Sequence, residues 1–175
     1  MKKGFTLIEL MTAVSVFAVV LIISMGSILG IFDANRKSRA LKTVMSNINL
    51  AVESMSKEMR FGTAYHCGSN PPYATPQNCP AGENYLHFMS SDGVTEISYY
   101  LNGQAINKAV SGGIIVPLTA PELVVDSLTF YTLGAGTGNT LQPKILMKVK
   151  VHAGTGKSRT DLTLQTLVSQ RLPDL

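Results

Sequence analysis

From Leu10 to Phe32, 23 consecutive residues include no Asp, Glu, Lys, Arg or His. A helix rises about 1.5 Å per residue, so about 20 residues cross a bilayer core of roughly 30 Å. Val14, Val16, Val19, Val20, Leu21, Ile22, Ile23, Ile28 and Ile31 place apolar side chains all around such a helix. A helix apolar on every side is wholly buried or spans a membrane. A single domain of 175 residues rarely buries a helix this long. The run also explains a hydrophobic content of 45% beside only 15% charged residues. Without it the chain has an ordinary polar composition. Disorder is therefore excluded, and a plain cytosolic protein does not fit.

A secretory signal peptide would have a basic start, a shorter apolar stretch and a small-residue cleavage site. Lys2 and Lys3 supply the start, but the run is too long, and no A-x-A site follows Phe32. Two residues near the start are unusual. Gly4 separates the basic pair from the apolar residues, and Glu9 sits among them. A carboxylate at mid-bilayer costs about 2.5–3.5 kcal/mol or more, and less near the interface, so it normally has a partner.

The stretch MKKGFTLIEL, followed by the long apolar run, resembles the processing signal of type IV pilins and type II secretion pseudopilins. The resemblance implies cleavage between Gly4 and Phe5 by a membrane prepilin peptidase and N-methylation of the new Phe5 amine. The apolar helix stays attached after such a cut. Glu9 then lies one helical turn from Phe5, and its carboxylate can pair with the Phe5 amine of a neighbouring subunit. That pairing would neutralise two charges in an apolar core and set the axial register between subunits. The bland reading of Glu9 is a stray carboxylate at the interface. Gly26 and Gly30 form a G-x-x-x-G spacing that allows close helix approach. They also weaken the helix, so packing and local melting are both open.

Beyond the membrane run, Leu41, Val44, Met45, Ile48, Val52, Met55 and Met59 recur at steps of three and four residues. No proline interrupts residues 5 to 62, and Gly62 is a stop signal. The pattern predicts one continuous helix, ~85 Å long, whose second half is amphipathic. Strand patterns follow at Tyr85–Met89, Thr95–Leu101, Ile114–Leu118, Leu123–Leu133, Ile145–Val151 and Leu162–Val168. Glycine, asparagine and proline punctuate them. The expected fold is α+β: a long N-terminal helix packed on an antiparallel sheet. The expected organisation is a leader at 1–4, a transmembrane assembly helix at 5–32, its amphipathic continuation at 33–62 and a β-rich head at 63–175. The stretches SMSKEMRFG, ISYYLNGQAINK, LVVDSLTFY and LTLQTLVSQR are similar to minor pilins and the J-type pseudopilins.

Cys67 and Cys79 bracket a loop rich in Pro and Asn. With the head outside the membrane, as the resemblance implies, both would lie where disulfides persist, and a disulfide is the expected pairing. The rival is zinc, with His66 and His87 as further ligands. The ligand types fit, but the C-x11-C spacing matches no usual knuckle. Neither a metal nor a cofactor is expected.

Arg36, Lys37, Arg39 and Lys42 form a basic cluster just past the apolar run. It outnumbers Lys2 and Lys3, against a simple positive-inside reading. The family resemblance instead implies a cytoplasmic N-terminus and an extracytoplasmic head. Headgroups or acidic groups on a neighbouring subunit suit the cluster, and DNA is a weaker alternative. The segment Gly154–Ser158 has the ending of a phosphate-binding loop but lacks its first glycine, so a hairpin turn is expected. His66, His87 and His152 show no acid–base partner spacing, and Asp126 stands alone near a glycine-rich loop.

The resemblance implies a structural subunit, not an enzyme. Its partners would be other pilin or pseudopilin subunits, the prepilin peptidase, an inner-membrane assembly platform with its ATPase, and membrane lipid before assembly. The alternative is a minor or tip pilin whose head binds DNA, a surface or secreted cargo.

Overall fold

The computed structural model describes residue 4, residues 6–136, residue 138, residues 141–156 and residues 159–171. One helix, α1, runs unbroken over Leu7–Phe61. At 55 residues it is about 82 Å long. Thr6 is its N-cap, with an extended backbone and a side-chain oxygen that accepts from the Glu9 amide at 3.4 Å. That satisfies one of the otherwise orphaned first-turn donors.

The helix ends where its backbone meets the sheet. Gly62 is extended rather than left-handed. A Cβ on Gly62 would lie 2.4 Å from Phe88 Cδ2, so the glycine is needed for close approach. The Tyr65 hydroxyl then donates toward the carbonyls of Met59 and Gly62, two acceptors at the helix end.

Eight strands follow: β1 Thr63–Cys67, β2 Tyr85–Met89, β3 Glu96–Asn102, β4 Ala105–Val110, β5 Ile114–Pro117, β6 Val124–Leu133, β7 Lys144–Ala153 and β8 Thr160–Ser169. They form two antiparallel sheets, β1-β2-β3-β4-β5 and β6-β7-β8. The expected single sheet is thus corrected to two. Pro117 and Pro121 flank the crossing between them, and neither can donate to a ladder.

The helix stripe and both sheets share one apolar core. Val44, Ile48, Ala51, Val52, Met55 and Met59 are its helical side. Leu41 and Met45, expected in the stripe, are exposed: Leu41 precedes Val44, the first buried helix residue, and Met45 lies about 100° around the helix from it. In β7, Ile145, Met147, Val149 and Val151 are all buried, while Lys148 and Lys150 point outward, as period-2 alternation requires. The α+β architecture of helix and antiparallel strands is the one expected.

Candidate functional site

Every described residue from Gly4 to Arg39 is exposed. The apolar part of α1 is long enough to cross a membrane, and none of it is covered by the rest of the chain. Its hydroxyls are turned back onto the helix. Thr12 donates to Glu9 O, Ser15 to Thr12 O, Ser24 to Val20 O and Ser27 to Ile23 O, at 2.8–3.2 Å. The outer surface is therefore apolar almost without interruption. Gly26 and Gly30 have open space where a Cβ would sit.

Gly4 is exposed, and Phe5 lies outside the described residues. Glu9 occupies the first turn of α1, where the helix dipole favours a negative charge. Thr6 and Glu9 form the T-x-x-E pattern of a capping box. The Thr6 hydroxyl also reaches Glu9 Oε2 at 3.5 Å. Sequence reasoning missed this local role, though the spacing itself is its signal. Among the described residues, no cation lies within ion-pair distance of Glu9.

Arg36, Lys37, Arg39 and Lys42 are all exposed. At about 100° per residue they lie around most of the helix circumference rather than along one face. They form a collar just beyond the apolar segment. Arg39 and Lys42 flank a shallow cleft with Ser46 and Asn47.

In the head, Cys67 and Cys79 are joined by a disulfide, with Cα atoms 5.7 Å apart. Their thiolates are therefore not free to complete a zinc site with His66 and His87. Those two histidines sit directly opposite one another on β1 and β2.

The structure corrects the reading of Asp126 and His152. Asp126 falls at a bulge in β6, between Val125 and Ser127. The bulge tips its carboxylate onto His152 Nδ1, at 2.9 and 3.0 Å. Asp161 stands opposite His152 on β8. Arg159 forks onto Asp161 at 2.8 and 3.1 Å, and its guanidinium holds that carboxyl below the usual carboxylate range. Ligand atoms of Asp126, His152 and Asp161 lie within 4.8 Å of one another. Both carboxylates are exposed, and each already has a cationic or imidazole partner. The arrangement is a surface ion network. Only strand register reveals it, and the sequence does not display register. Lys157 and Ser158, from the segment with a phosphate-loop ending, lie outside the described residues.

Residues 1–25 match the family model of the prokaryotic N-terminal methylation motif. No curated protein and no solved structure matches the chain. The matched residues hold the basic pair, Gly4, Phe5, Glu9 and most of the exposed apolar helix. Over these first 25 residues the chain carries the class III prepilin signal, a motif that supports a type IV pilin-like family.

Proposed function

We propose that the chain is a structural subunit cut between Gly4 and Phe5, N-methylated on Phe5, and assembled into a type IV pilus or pseudopilus, or priming its assembly, through α1. The observation that carries this reading is the continuity of α1. A wholly uncovered apolar half runs without a break into a half locked in the head core. Such a helix passes any axial position set at its N-terminus to the head as a rigid body. Its apolar half has two suitable environments, lipid before assembly and neighbouring helices after it.

Glu9 supplies register in this reading. Buried among neighbouring helices, its carboxylate requires a cation, and the Phe5 amine of an adjacent subunit supplies one. The basic collar would then rest against lipid headgroups or acidic groups of neighbours. A ring of charge around a helix suits either better than it suits DNA, whose phosphates would be met from one side.

Intact-mass measurement of the membrane-extracted chain tests the processing. The expected mass lacks Met1–Gly4 and carries one added methyl group. An uncut N-terminus would overturn the reading. Glu9→Ala should remain in the membrane and fail to enter sheared filaments. Wild-type incorporation of that variant would remove the register role while leaving the processing intact.

A further inference from the structure

The outer face of the five-stranded sheet carries a buried pair of histidines. Along β1, Tyr65 and Cys67 point into the core, so His66 faces outward. Along β2, Leu86 and Phe88 point inward, so His87 faces outward. The two are Cα partners across the ladder, where opposing Cβ atoms lie about 4.5–5.5 Å apart. Outward-facing positions of an antiparallel sheet are commonly solvated. Yet His66 is 2% exposed and His87 is 3% exposed.

The cover is the loop between Cys67 and Cys79. Its Tyr73 ring stacks on His87 with centroids 4.8 Å apart, and meets His66 edge-on at 5.6 Å. The loop carbonyl of Thr75 lies 2.7 Å from His66 Nδ1. A carbonyl only accepts, so Nδ1 carries the hydrogen and Nε2 is bare in the neutral ring. His87 Nδ1 lies 2.9 Å from Ser98 Oγ. Both Nε2 atoms are buried with no hydrogen-bond partner among the described residues. A bare ring nitrogen tolerates this. A protonated one would be a buried charge with an unpaired N–H.

We propose that the Cys67–Cys79 loop is an acid-released cover, held shut over the His66–His87 pair and lifted when His87 takes up a proton.

The titratable groups facing the pair are Tyr73 from the loop, Tyr85 on β2 and Glu96 on β3. Tyr100 stands behind Tyr85. Burial pushes His87 below the ordinary imidazole range; Glu96 opposes the shift and His66 adds to it. The closed loop therefore binds fewer protons than the open one. Its stability is complete above the unperturbed value of about 6.5 and falls as pH drops through it toward the closed-state value.

Lifting the loop would let water reach Nε2. The disulfide and the bonds of Gln77 to Tyr65 and Cys67 hold the loop ends. Tyr73, at the middle, bonds within the loop to Ser69. The middle can therefore swing out while the sheet stays intact.

Hydrogen exchange of the full chain in detergent micelles, at about pH 7.5 and about pH 5.5, tests this across the imidazole range. After correction for chemical exchange, amides of Ser69, Asn70, Tyr73, Ala74 and Thr75 should exchange several-fold faster in acid. Amides of β7 should not change. Tyr73→Ala should exchange fast at both pH values. His87→Asn should lose the acid response. Nuclear magnetic resonance titration of the wild-type rings gives a readout that needs no variant, and His87 should titrate below the free value. A loop equally protected at both pH values would overturn the proposal, as would an acid response that survives in His87→Asn.

Discussion

Tyr99 of β3 donates its hydroxyl to Glu58 Oε2 of α1 at 2.7 Å, and Lys108 of β4 reaches Glu58 Oε1 at 2.6 Å. One helical carboxylate thus joins two strands of the five-stranded sheet to the helix. Tyr99 is fully buried, while Glu58 and Lys108 are partly exposed. The two bonds are therefore unequal. Glu58→Ala strands a buried hydroxyl and should cost about 1–3 kcal/mol. Lys108→Met removes a partly solvated charge and should cost about 1 kcal/mol or less. Urea unfolding of the full chain in micelles, followed by tyrosine fluorescence, measures both. Equal losses would mean that the hydroxyl bond contributes nothing of its own.

Alkaline pH tests the same contact differently. Burial, and then the Glu58 carboxylate, push the Tyr99 hydroxyl far above the ordinary phenol range. A group whose folded value is raised contributes stability that is complete below its unfolded value, about 10. That stability is lost as pH rises further, because the unfolded chain sheds the proton first. The unfolding midpoint should therefore fall above about pH 10, and Tyr99→Phe should flatten part of that fall. The difference between the two pH profiles isolates Tyr99 from the other tyrosines.

The helix was legible in the sequence because its signals agree. No proline interrupts it, the apolar pattern changes character near residue 33, and a glycine stands at its end. Six strands, β2, β3 and β5 to β8, were legible within one or two residues, because each carries period-2 alternation or a β-branched or aromatic run. β1 and β4 were not. Thr63–Cys67 follows the helix with no turn signal, and it contains a bulge at Ala64, whose φ is 53°. Ala105–Val110 has a lysine and two alanines, a composition with little strand preference. It becomes a strand because six cross-strand pairs with β3 outweigh local preference. The two features legible only in three dimensions, the His66–His87 pair and the Asp126–His152–Asp161 network, both depend on register. A one-residue slip would send each side chain to the opposite face.

The disulfide should stabilise the fold both by its cross-link and by the burial of its sulfur atoms. Its cysteines are separated by 12 positions, and closing a loop of that size stabilises by roughly 2–4 kcal/mol. Yet both sulfur atoms sit against the Phe130 carbonyl in the core, so the serines of a Cys67→Ser/Cys79→Ser chain would also be buried. The expected loss is toward the upper part of that range. Thermal unfolding with and without reductant separates the contributions. Reduction of the wild type reports the cross-link, and the double variant adds the buried hydroxyls.

The glycines of α1 and its cap provide a contrast. At Gly62 a Cβ would press on Phe88 Cδ2 at 2.4 Å, Cε2 at 2.9 Å and the Met89 carbonyl at 3.1 Å. A backbone carbonyl and a fully buried ring cannot both move aside, so Gly62→Ala should cost about 1–3 kcal/mol through overpacking. At Gly26 and Gly30 a Cβ meets nothing within 4 Å. Alanine there should raise intrinsic helix preference by about 1 kcal/mol at each position and leave the head unchanged. If neighbouring helices approach closely across these glycines, the same two methyl groups would hold them apart. Gly26→Ala/Gly30→Ala should then show wild-type head stability and wild-type membrane insertion, with reduced recovery in sheared filaments. If recovery instead rises, the glycines serve to loosen the helix, and their added methyl groups pack without conflict. Normal recovery with unchanged stability would assign them neither role. Measuring head stability and filament recovery on the same preparation is what separates an assembly effect from a folding one.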